Sequence, residues 1–195
     1  MHDSKKPDIN EYEPLFGSWA VKKPYLGKGG FGEVYKIHRE AMGMTQYAAV
    51  KRISLSKSLL RLQPKQYERV QGEIQTMLDL QGASHIVLIH EFTDVDWANG
   101  NGKDFLIRME LLTSLEKQDS ISIDEVVKMG IHICRALVLC HERKLVHRDI
   151  KPGNILVSKF GEYKLSDFGI ARVIDDDSTK TSIGTPGFKA PEVAS

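Results

Sequence analysis

Positions 147–157 read H-R-D-I-K-P-G-N-I-L-V, and positions 163–169 read Y-K-L-S-D-F-G. Pro152 and Gly153 exclude a continuous helix across this stretch, because proline removes a backbone donor and glycine is a poor helix former. The apolar runs 155–157 and 163–165 instead predict two short strands. The few residues between them predict a hairpin.

This hairpin would bring Asn154, at the start of one strand, close to Asp167, at the end of the other. Amide and carboxylate oxygens are ligands that suit a hard cation such as Mg²⁺. Asp149 is then a candidate general base, and Lys151 is a positive charge beside it. A polar surface loop is the alternative, but two separate motifs in this order favour a catalytic site.

Residues 147–154 and 167–169 resemble the catalytic loop and the metal-binding loop of the eukaryotic-type protein kinases. The resemblance implies that Asp149 and Lys151 are catalytic and that Asn154 and Asp167 bind Mg²⁺. Lys151, two residues after Asp149, is typical of the serine/threonine-specific form of this loop.

Positions 27–34 read G-K-G-G-F-G-E-V, with the glycines of a G-x-G-x-x-G-x-V pattern at Gly27, Gly29 and Gly32. Glycines let backbone N–H groups approach a phosphate closely. Dinucleotide-binding folds use the same glycines but continue into a helix. Residues 33–37 alternate polar and apolar, which predicts a strand and favours a hairpin lid over phosphates.

A third strand, 47–51, ends on Lys51, and the resemblance implies that this lysine binds ATP phosphates. Apolar residues recur at helical spacing from position 66 to 80. The resemblance places an inward-facing glutamate in this helix, which we expect to be Glu73, paired with Lys51. Glu68 is the competing candidate.

Strands are predicted over 85–92 and 105–112, with a turn between positions 94 and 104. The resemblance makes Met109 the gatekeeper and places 110–112 at the hinge, beside adenine. It assigns nucleotide binding to Leu26, Gly27, Gly29, Gly32, Val34, Ala49, Lys51, Met109, Glu110, Leu112 and Leu156.

The pattern S-x-x-E from Ser122 to Glu125 predicts the start of a helix that runs to about Glu142. This helix is apolar on most sides, and such a helix is normally buried on all sides. We expect the other elements of this chain to cover only part of its apolar surface. Cys134 and Cys140 lie six positions apart, on different faces. We therefore expect two buried, apolar-like thiols rather than a disulfide or a metal site.

The acidic and hydroxyl-rich stretch 170–189 precedes A-P-E at 190–192, which resembles the activation segment of kinases. Thr185 resembles the threonine that braces the catalytic loop. We expect Arg148 to bind a regulatory phosphate on one of three residues of this segment. These are Thr179, Thr181 and Ser182.

The chain has 195 residues and a formal net charge of +1. This charge gives no reason to expect nucleic acid as a partner, and no apolar run approaches membrane-spanning length. The N-terminal residues lack a secretory apolar core, so we expect a cytoplasmic protein. Residues 1–14 are predicted to be a flexible tail, 15–109 an N-terminal lobe, and 110–195 a hinge with a partial C-terminal lobe.

The predicted fold class is therefore α+β: a two-lobed, kinase-like fold with an antiparallel N-terminal sheet, one major N-terminal helix, and a helical, truncated second lobe. The predicted function is transfer of the ATP γ-phosphate to serine or threonine hydroxyls of a protein substrate. The chain stops three residues after Glu192, where family members continue. From this we expect impaired transfer and a candidate surface for self-association.

Two other functions stay open. One is a catalytically silent nucleotide-binding or scaffolding module of kinase-like fold. The other is a small-molecule phosphotransferase, which ranks lower because such enzymes lack the segment at positions 184–192, G-T-P-G-F-K-A-P-E.

Overall fold

The computed structural model describes residues 6–29, 32–168, 172–173, 185 and 187–188 of the chain. The chain divides into two compact units. The first contains the residues up to Gln71 together with Ile89–Leu111, and the second contains Gly72–Leu88 and the residues from Leu112 onward. The sequence placed the boundary between positions 109 and 110 and did not predict that Gly72–Leu88 belongs to the second unit. In the described part of the chain, no helix has the length and apolar character needed to cross a membrane.

An antiparallel sheet of five strands, in the order β1-β2-β3-β5-β4, forms most of the first unit. The strands are β1 (Ala20–Gly29), β2 (Gly32–Ala41), β3 (Met44–Ser56), β4 (Ile89–Asp96) and β5 (Gly102–Met109). Met42 and Gly43 connect β2 to β3 with φ values of 52° and 73°. Positive φ at both positions matches the twist of the flanking strands, which explains the tight hairpin.

The hydrophobic core of the first unit lies on the sheet face that carries Arg52, called the Arg52 face below. The core combines sheet residues with residues from the chain before β1: Ile37, Ala48, Val50, Leu106, Ile9, Leu15 and Trp19. Ile9–Tyr12 form a short 3₁₀-helix whose first turn is capped by the Asp8 side chain. The predicted flexible tail over residues 1–14 is therefore corrected for these residues, because Ile9 is only 2% exposed.

Two helices connect β3 to β4. Helix α1 (Lys57–Leu62), which the sequence analysis missed, begins after Ser56, whose hydroxyl accepts the Leu59 N–H. Helix α2 (Gln66–Asp79) confirms the predicted helix over 66–80. Its buried apolar residues recur at helical spacing, as expected for an amphipathic helix: Val70, Ile74 and Met77.

The second unit contains the long helix α3 (Ile123–Glu142), which begins at the predicted capping box. The Ser122 hydroxyl accepts the Glu125 N–H at 3.2 Å, and the Glu125 carboxylate accepts the Ser122 N–H at 2.9 Å. As predicted, the described elements cover only part of the apolar surface of α3. Its exposed apolar residues are Ile123, Val126, Val127, Ile131 and Val138. Cys140 is buried as expected, but Cys134 is exposed.

Short strands surround the catalytic stretch. They are β6 (Thr113–Ser114), β7 (Leu145–Val146), β8 (Ile155–Val157), β9 (Tyr163–Leu165) and β10 (Arg172–Val173). Strands β8 and β9 pair as the predicted hairpin, with β6 along the other edge of β8, and β7 pairs with β10. The strand predicted to start at His85 starts instead at Ile89. The residues before it pair with β9: the His85 carbonyl oxygen accepts the Leu165 N–H at 2.8 Å, and the Val87 N–H donates to the Leu165 carbonyl oxygen at 3.0 Å.

Candidate active site

Strands β1 and β2 form the hairpin that carries the three glycines. Gly27 lies opposite Val34, and Gly29 lies opposite Gly32, while positions 30 and 31 lie outside the described residues. Gly32 has a φ of +134°, and a Cβ there would lie 2.3 Å from the carbonyl oxygen of Arg52. Only glycine fits this backbone conformation and this close contact.

The sheet register places five of the predicted nucleotide contacts on one face. Val34 lies opposite both Gly27 and Lys51, and Ala49 lies opposite Met109. Residues directly opposite each other share a face, and successive residues of a strand alternate between faces. These five residues therefore share the face opposite to Arg52, called the Lys51 face below.

The other predicted nucleotide contacts are distributed over both units. Leu26 lies in β1, and Glu110 follows β5 without regular secondary structure. Leu112 and Leu156 belong to the second unit, where Leu156 lies in β8. All four side chains are half-buried. Their contribution to adenine binding stays a prediction.

The two candidate glutamates of α2 differ in burial. Glu73 is 5% exposed, whereas Glu68 is exposed to solvent. A buried carboxylate requires compensating partners, while an exposed one is simply solvated. This difference favours Glu73 over Glu68 as the functional glutamate, and its pairing with Lys51 stays a prediction.

Asp149 is the most heavily hydrogen-bonded side chain of the catalytic loop. Its Oδ1 accepts the Thr185 N–H at 3.1 Å and the Thr185 hydroxyl at 2.7 Å. Its Oδ2 accepts Lys151 Nζ and Asn154 Nδ2, both at 2.9 Å. Asp149, Lys151, Asn154 and Thr185 were predicted from the sequence to belong to this site, and the structure brings all four together.

These contacts determine the charge of Asp149. Burial acts to raise its pKa, but hydrogen bonds from Thr185, Lys151 and Asn154 outweigh burial, so the pKa lies below its usual value. Asp149 is therefore a carboxylate at neutral pH, the form that can act as a base, and its oxygens already accept four hydrogen bonds.

The loop backbone is shaped by residues on both sides of Asp149. Arg148 has a φ of 66°, and Pro152–Asn154 form a 3₁₀-turn that leads into β8. Proline at the first position of such a turn loses no hydrogen bond, since that N–H would be unpaired anyway. The sharp reversal turns the Asn154 amide back toward Asp149, where Asn154 Nδ2 also donates to the Asp149 carbonyl oxygen at 2.8 Å.

His147 and Ser166 connect this loop to the segment that carries Asp167, and the sequence analysis assigned neither a role. His147 Nε2 donates to the Ser166 carbonyl oxygen at 2.9 Å, while its Nδ1 accepts the Asp149 N–H at 3.3 Å. Burial lowers the pKa of His147, which keeps it neutral and able to make both bonds. The only available sequence signal was the position of His147 in the motif.

The oxygens of Asn154 and Asp167 fit a magnesium ion. Both hydrogen bonds from Asn154 Nδ2 go to Asp149, so the amide oxygen is the atom left for a cation. The backbone carbonyl oxygen of Asn154 accepts the Ser166 N–H at 2.9 Å and the Ser166 hydroxyl at 3.0 Å. Asp167 is the residue after Ser166, so these two bonds bring it close to Asn154. An amide oxygen and a carboxylate are hard ligands of the kind that Mg²⁺ prefers.

The predicted phosphorylation sites cannot be placed. Thr179, Thr181 and Ser182 lie outside the described residues. Arg148 is half-buried, and its role in binding a phosphate stays a prediction.

Comparison with known proteins identifies similar sequences over nearly the whole chain. A sequence model of the protein kinase domain matches residues 20–195. The serine/threonine-protein kinases PknK and PknA of Mycobacterium tuberculosis are each 33% identical, over 175 and 191 residues. A probable serine/threonine-protein kinase of Dictyostelium discoideum is 29% identical over 194 residues. These alignments cover 86%, 92% and 98% of this chain, but only 15%, 42% and 37% of the respective relatives.

Proposed function

The chain belongs to the protein kinase domain family, and from this premise we propose that it transfers the γ-phosphate of ATP to serine or threonine hydroxyls of a protein substrate. The observation that carries the proposal is the contact set of Asp149. Lys151, Asn154 and Thr185 all bind one buried carboxylate, as positioning of a substrate hydroxyl requires.

Asp149 orients the substrate hydroxyl and accepts its proton. Phosphoryl transfer requires mainly positioning and charge stabilisation. A base of low pKa therefore suffices when the substrate hydroxyl loses its proton late in the transfer. The four hydrogen bonds to Asp149 use about all of the acceptor positions of a carboxylate. A substrate hydroxyl therefore binds only after one donor moves away.

Lys151 is the donor best suited to move. Its flexible side chain is partly exposed, whereas Asn154 is buried. When Lys151 turns from Asp149 toward the phosphoryl group in transfer, it opens an acceptor position and neutralises charge on that group. The Lys151 ammonium would make one charge-assisted interaction in each orientation, first with Asp149 and then with the phosphoryl group.

Lys51 would bind phosphate groups of the nucleotide, and Asn154 and Asp167 would hold the metal. Mg²⁺, when bound there, neutralises phosphate charge. Backbone N–H groups of the glycine hairpin add further donors. The match to the protein kinase domain supports ATP and Mg²⁺ as the cofactors.

Phosphorylation of mixed serine, threonine and tyrosine peptides by the whole chain, with Mg²⁺ and ATP, tests this function. Asp149→Asn preserves shape but removes the base, and should abolish product. Asp119→Asn is the matched control, since Asp119 is an exposed aspartate outside the loop. Wild-type rates in Asp149→Asn, or phosphotyrosine as the sole product, would contradict the proposal.

The exposed apolar face of α3 supports self-association as a second, separate proposal. Val127, Ile131 and Val138 are 56%, 48% and 57% exposed in the described structure. Contiguous exposed apolar side chains commonly mark an interaction surface. Light scattering of the chain and of Ile131→Asp tests it. A monomer in both cases would show that a second copy does not cover this face.

A further inference from the structure

Residues 6–16, called the N-terminal strap below, lie ahead of the residues that match the kinase family and yet belong to the folded first unit. Ile9 and Leu15 are 2% and 1% exposed and pack into the core on the Arg52 face. The Glu13 carboxylate accepts the Val21 N–H at 2.7 Å, which fixes the strap to the start of β1. The strap is therefore a structural part of this lobe.

The strap contributes two polar groups to a buried ion pair. Arg52 and Asp104 are 2% and 0% exposed, and Arg52 Nε donates to Asp104 Oδ2 at 2.9 Å. The strap adds the Pro7 carbonyl oxygen, which accepts Arg52 Nη2 at 2.7 Å, and the Tyr12 hydroxyl, which donates to Asp104 Oδ2 at 2.6 Å. Buried charges need such additional hydrogen bonds to be stable, so the strap helps to fix the Arg52 side chain.

Arg52 stands next to both elements proposed to hold the nucleotide. It follows Lys51 directly, so the two side chains occupy opposite faces of β3. A Cβ on Gly32 would lie only 2.3 Å from the carbonyl oxygen of Arg52, so the backbones of these two residues are in close contact. A displacement of the backbone at Arg52 would therefore move Lys51 and the last glycine of the hairpin together.

A second connection runs from the strap to the glycine hairpin itself. Lys6 forms an ion pair with Glu33, the residue after Gly32, and the Tyr35 hydroxyl donates to Glu33 at 3.0 Å. Burial acts to raise the pKa of Glu33, but Lys6 and Tyr35 outweigh burial and lower it. Glu33 is charged at neutral pH, and its ion pair with Lys6 restrains the start of β2.

We propose that the N-terminal strap is a positioning element for nucleotide binding. It acts through Arg52 on Lys51 and through Glu33 on the glycine hairpin, and it touches no nucleotide itself. The inference rests on the proposed function, because it assumes that these two elements bind ATP. It extends that function by making ATP affinity depend on residues outside the matched kinase domain.

Calorimetric titration of the whole chain with Mg²⁺-ATP tests the inference. Tyr12→Phe removes only the hydroxyl that binds Asp104. Lys6→Ala removes the contribution of the strap to Glu33, which keeps the Tyr35 hydroxyl at 3.0 Å and Lys28 at 3.6 Å. We expect the double variant to bind ATP about threefold to tenfold more weakly, as the loss of one or two restraining hydrogen bonds predicts. Its KM for the peptide substrate should stay unchanged, since the strap belongs to the first unit and the proposed base for the peptide hydroxyl, Asp149, belongs to the second.

Two control variants carry the same chemical changes elsewhere on the same sheet. Tyr47→Phe and Lys22→Ala remove an exposed hydroxyl and an exposed ammonium that contact each other at 3.3 Å. Both should bind ATP like the wild type. Each variant is also melted thermally, so that a loss of stability can be told apart from a loss of affinity.

The outcomes separate the inference from the proposed function. If the wild-type chain does not bind Mg²⁺-ATP, the proposed function fails and the inference fails with it. If the wild type binds ATP and the strap variants bind within twofold of it, only the inference fails, whatever happens to their melting temperature. Equal weakening of ATP binding in Tyr47→Phe and Lys22→Ala would also overturn the inference.

Discussion

Thr185 donates both its backbone N–H and its hydroxyl to Oδ1 of Asp149, at 3.1 and 2.7 Å. The same hydroxyl accepts Lys151 Nζ at 2.7 Å. One threonine thus joins the proposed base to the proposed phosphate-binding lysine and contributes to lowering the pKa of Asp149.

Replacing Thr185 should weaken this arrangement without removing the base. We expect Thr185→Val to lower kcat by about tenfold to a hundredfold, the value of a hydrogen bond to a charged group. The pKa of Asp149 should rise toward its ordinary value. Steady-state kinetics across acidic pH measures both effects.

Thr185→Ser retains the hydroxyl and should recover most of the lost rate. Thr45→Val is the matched control, because it removes an exposed threonine hydroxyl that binds Glu40. An unchanged kcat in Thr185→Val would show that the contact with Asp149 does not assist transfer.

A methyl group at Gly32 should be strongly destabilising. In Gly32→Ala the added Cβ would lie 2.3 Å from the Arg52 carbonyl oxygen, at a φ of +134°. Both β2 and β3 would have to shift, so we expect a lower melting temperature and weaker ATP binding.

Gly27→Ala is the comparison for stability, because no heavy atom lies within 4 Å of a Cβ there. Its melting temperature should stay close to that of the wild type. Equal destabilisation by both substitutions would contradict the specific contact between Gly32 and Arg52. Thermal melting by circular dichroism distinguishes the two.

Local sequence patterns predicted the elements whose signals lie within the element. The capping box between Ser122 and Glu125 located the start of α3, and the runs 155–157 and 163–165 located the β8–β9 hairpin. Both depend on hydrogen bonds between residues close in the sequence. The motif order likewise selected Asp149, Asn154 and Lys151, which the structure brings together.

Features that depend on distant contacts were missed. Ile9 is a single apolar residue in a polar stretch, and its burial requires Ile37, Val50 and Leu106, which lie far along the chain. Helix α1 is short, and nothing but its Ser56 cap marks it. Cys134 was expected to be buried but is exposed. Burial at one position of a helix depends on which elements pack against that face, and the apolar pattern alone does not specify them.

The buried pair of Arg52 and Asp104 should be important for the stability of the first unit. Asp104→Ala removes one partner and leaves the buried Arg52 guanidinium uncompensated. We expect a loss of about 3–5 kcal/mol in the free energy of unfolding, as for other broken buried pairs. Urea unfolding, with the melting temperature as a second measure, tests this value.

Asp94→Ala is the matched control, because Asp94 pairs with Lys103 at the surface and is 48% exposed. An exposed pair contributes about 0–1 kcal/mol. Similar losses of unfolding free energy in the two variants would show that the buried Arg52–Asp104 pair stabilises the protein no more than the exposed pair does.

The stability of the second unit should fall as the pH falls through about 6.5. His132 Nδ1 accepts the Tyr163 N–H at 3.2 Å, and its ring stacks on His85 with centroids 3.9 Å apart. Burial lowers the pKa of His132, and charge on His85 lowers it further. The Glu162 carboxylate, 3.8 Å from His132 Nδ1, acts in the opposite direction. Lys128 and Arg135 also disfavour the protonated ring.

His147 adds to this dependence, since burial lowers its pKa as well. The folded protein thus keeps both rings neutral, whereas in the unfolded chain they take up protons near pH 6.5. Because the unfolded state binds more protons, stability decreases as the pH falls, by at most about 1.4 kcal/mol per pH unit for each histidine. Above about pH 7.5 neither state binds these protons, so these groups add no slope.

Urea unfolding at several pH values between 8 and 5.5 measures this dependence. His132→Asn keeps an acceptor in place of Nδ1 but cannot titrate, so its stability should depend less steeply on pH than that of the wild type. His141→Asn, at an exposed position of the same helix, is the control and should leave the slope unchanged. A wild-type stability that is constant from pH 8 to 5.5 would contradict the assignment of these two rings as neutral, buried acceptors.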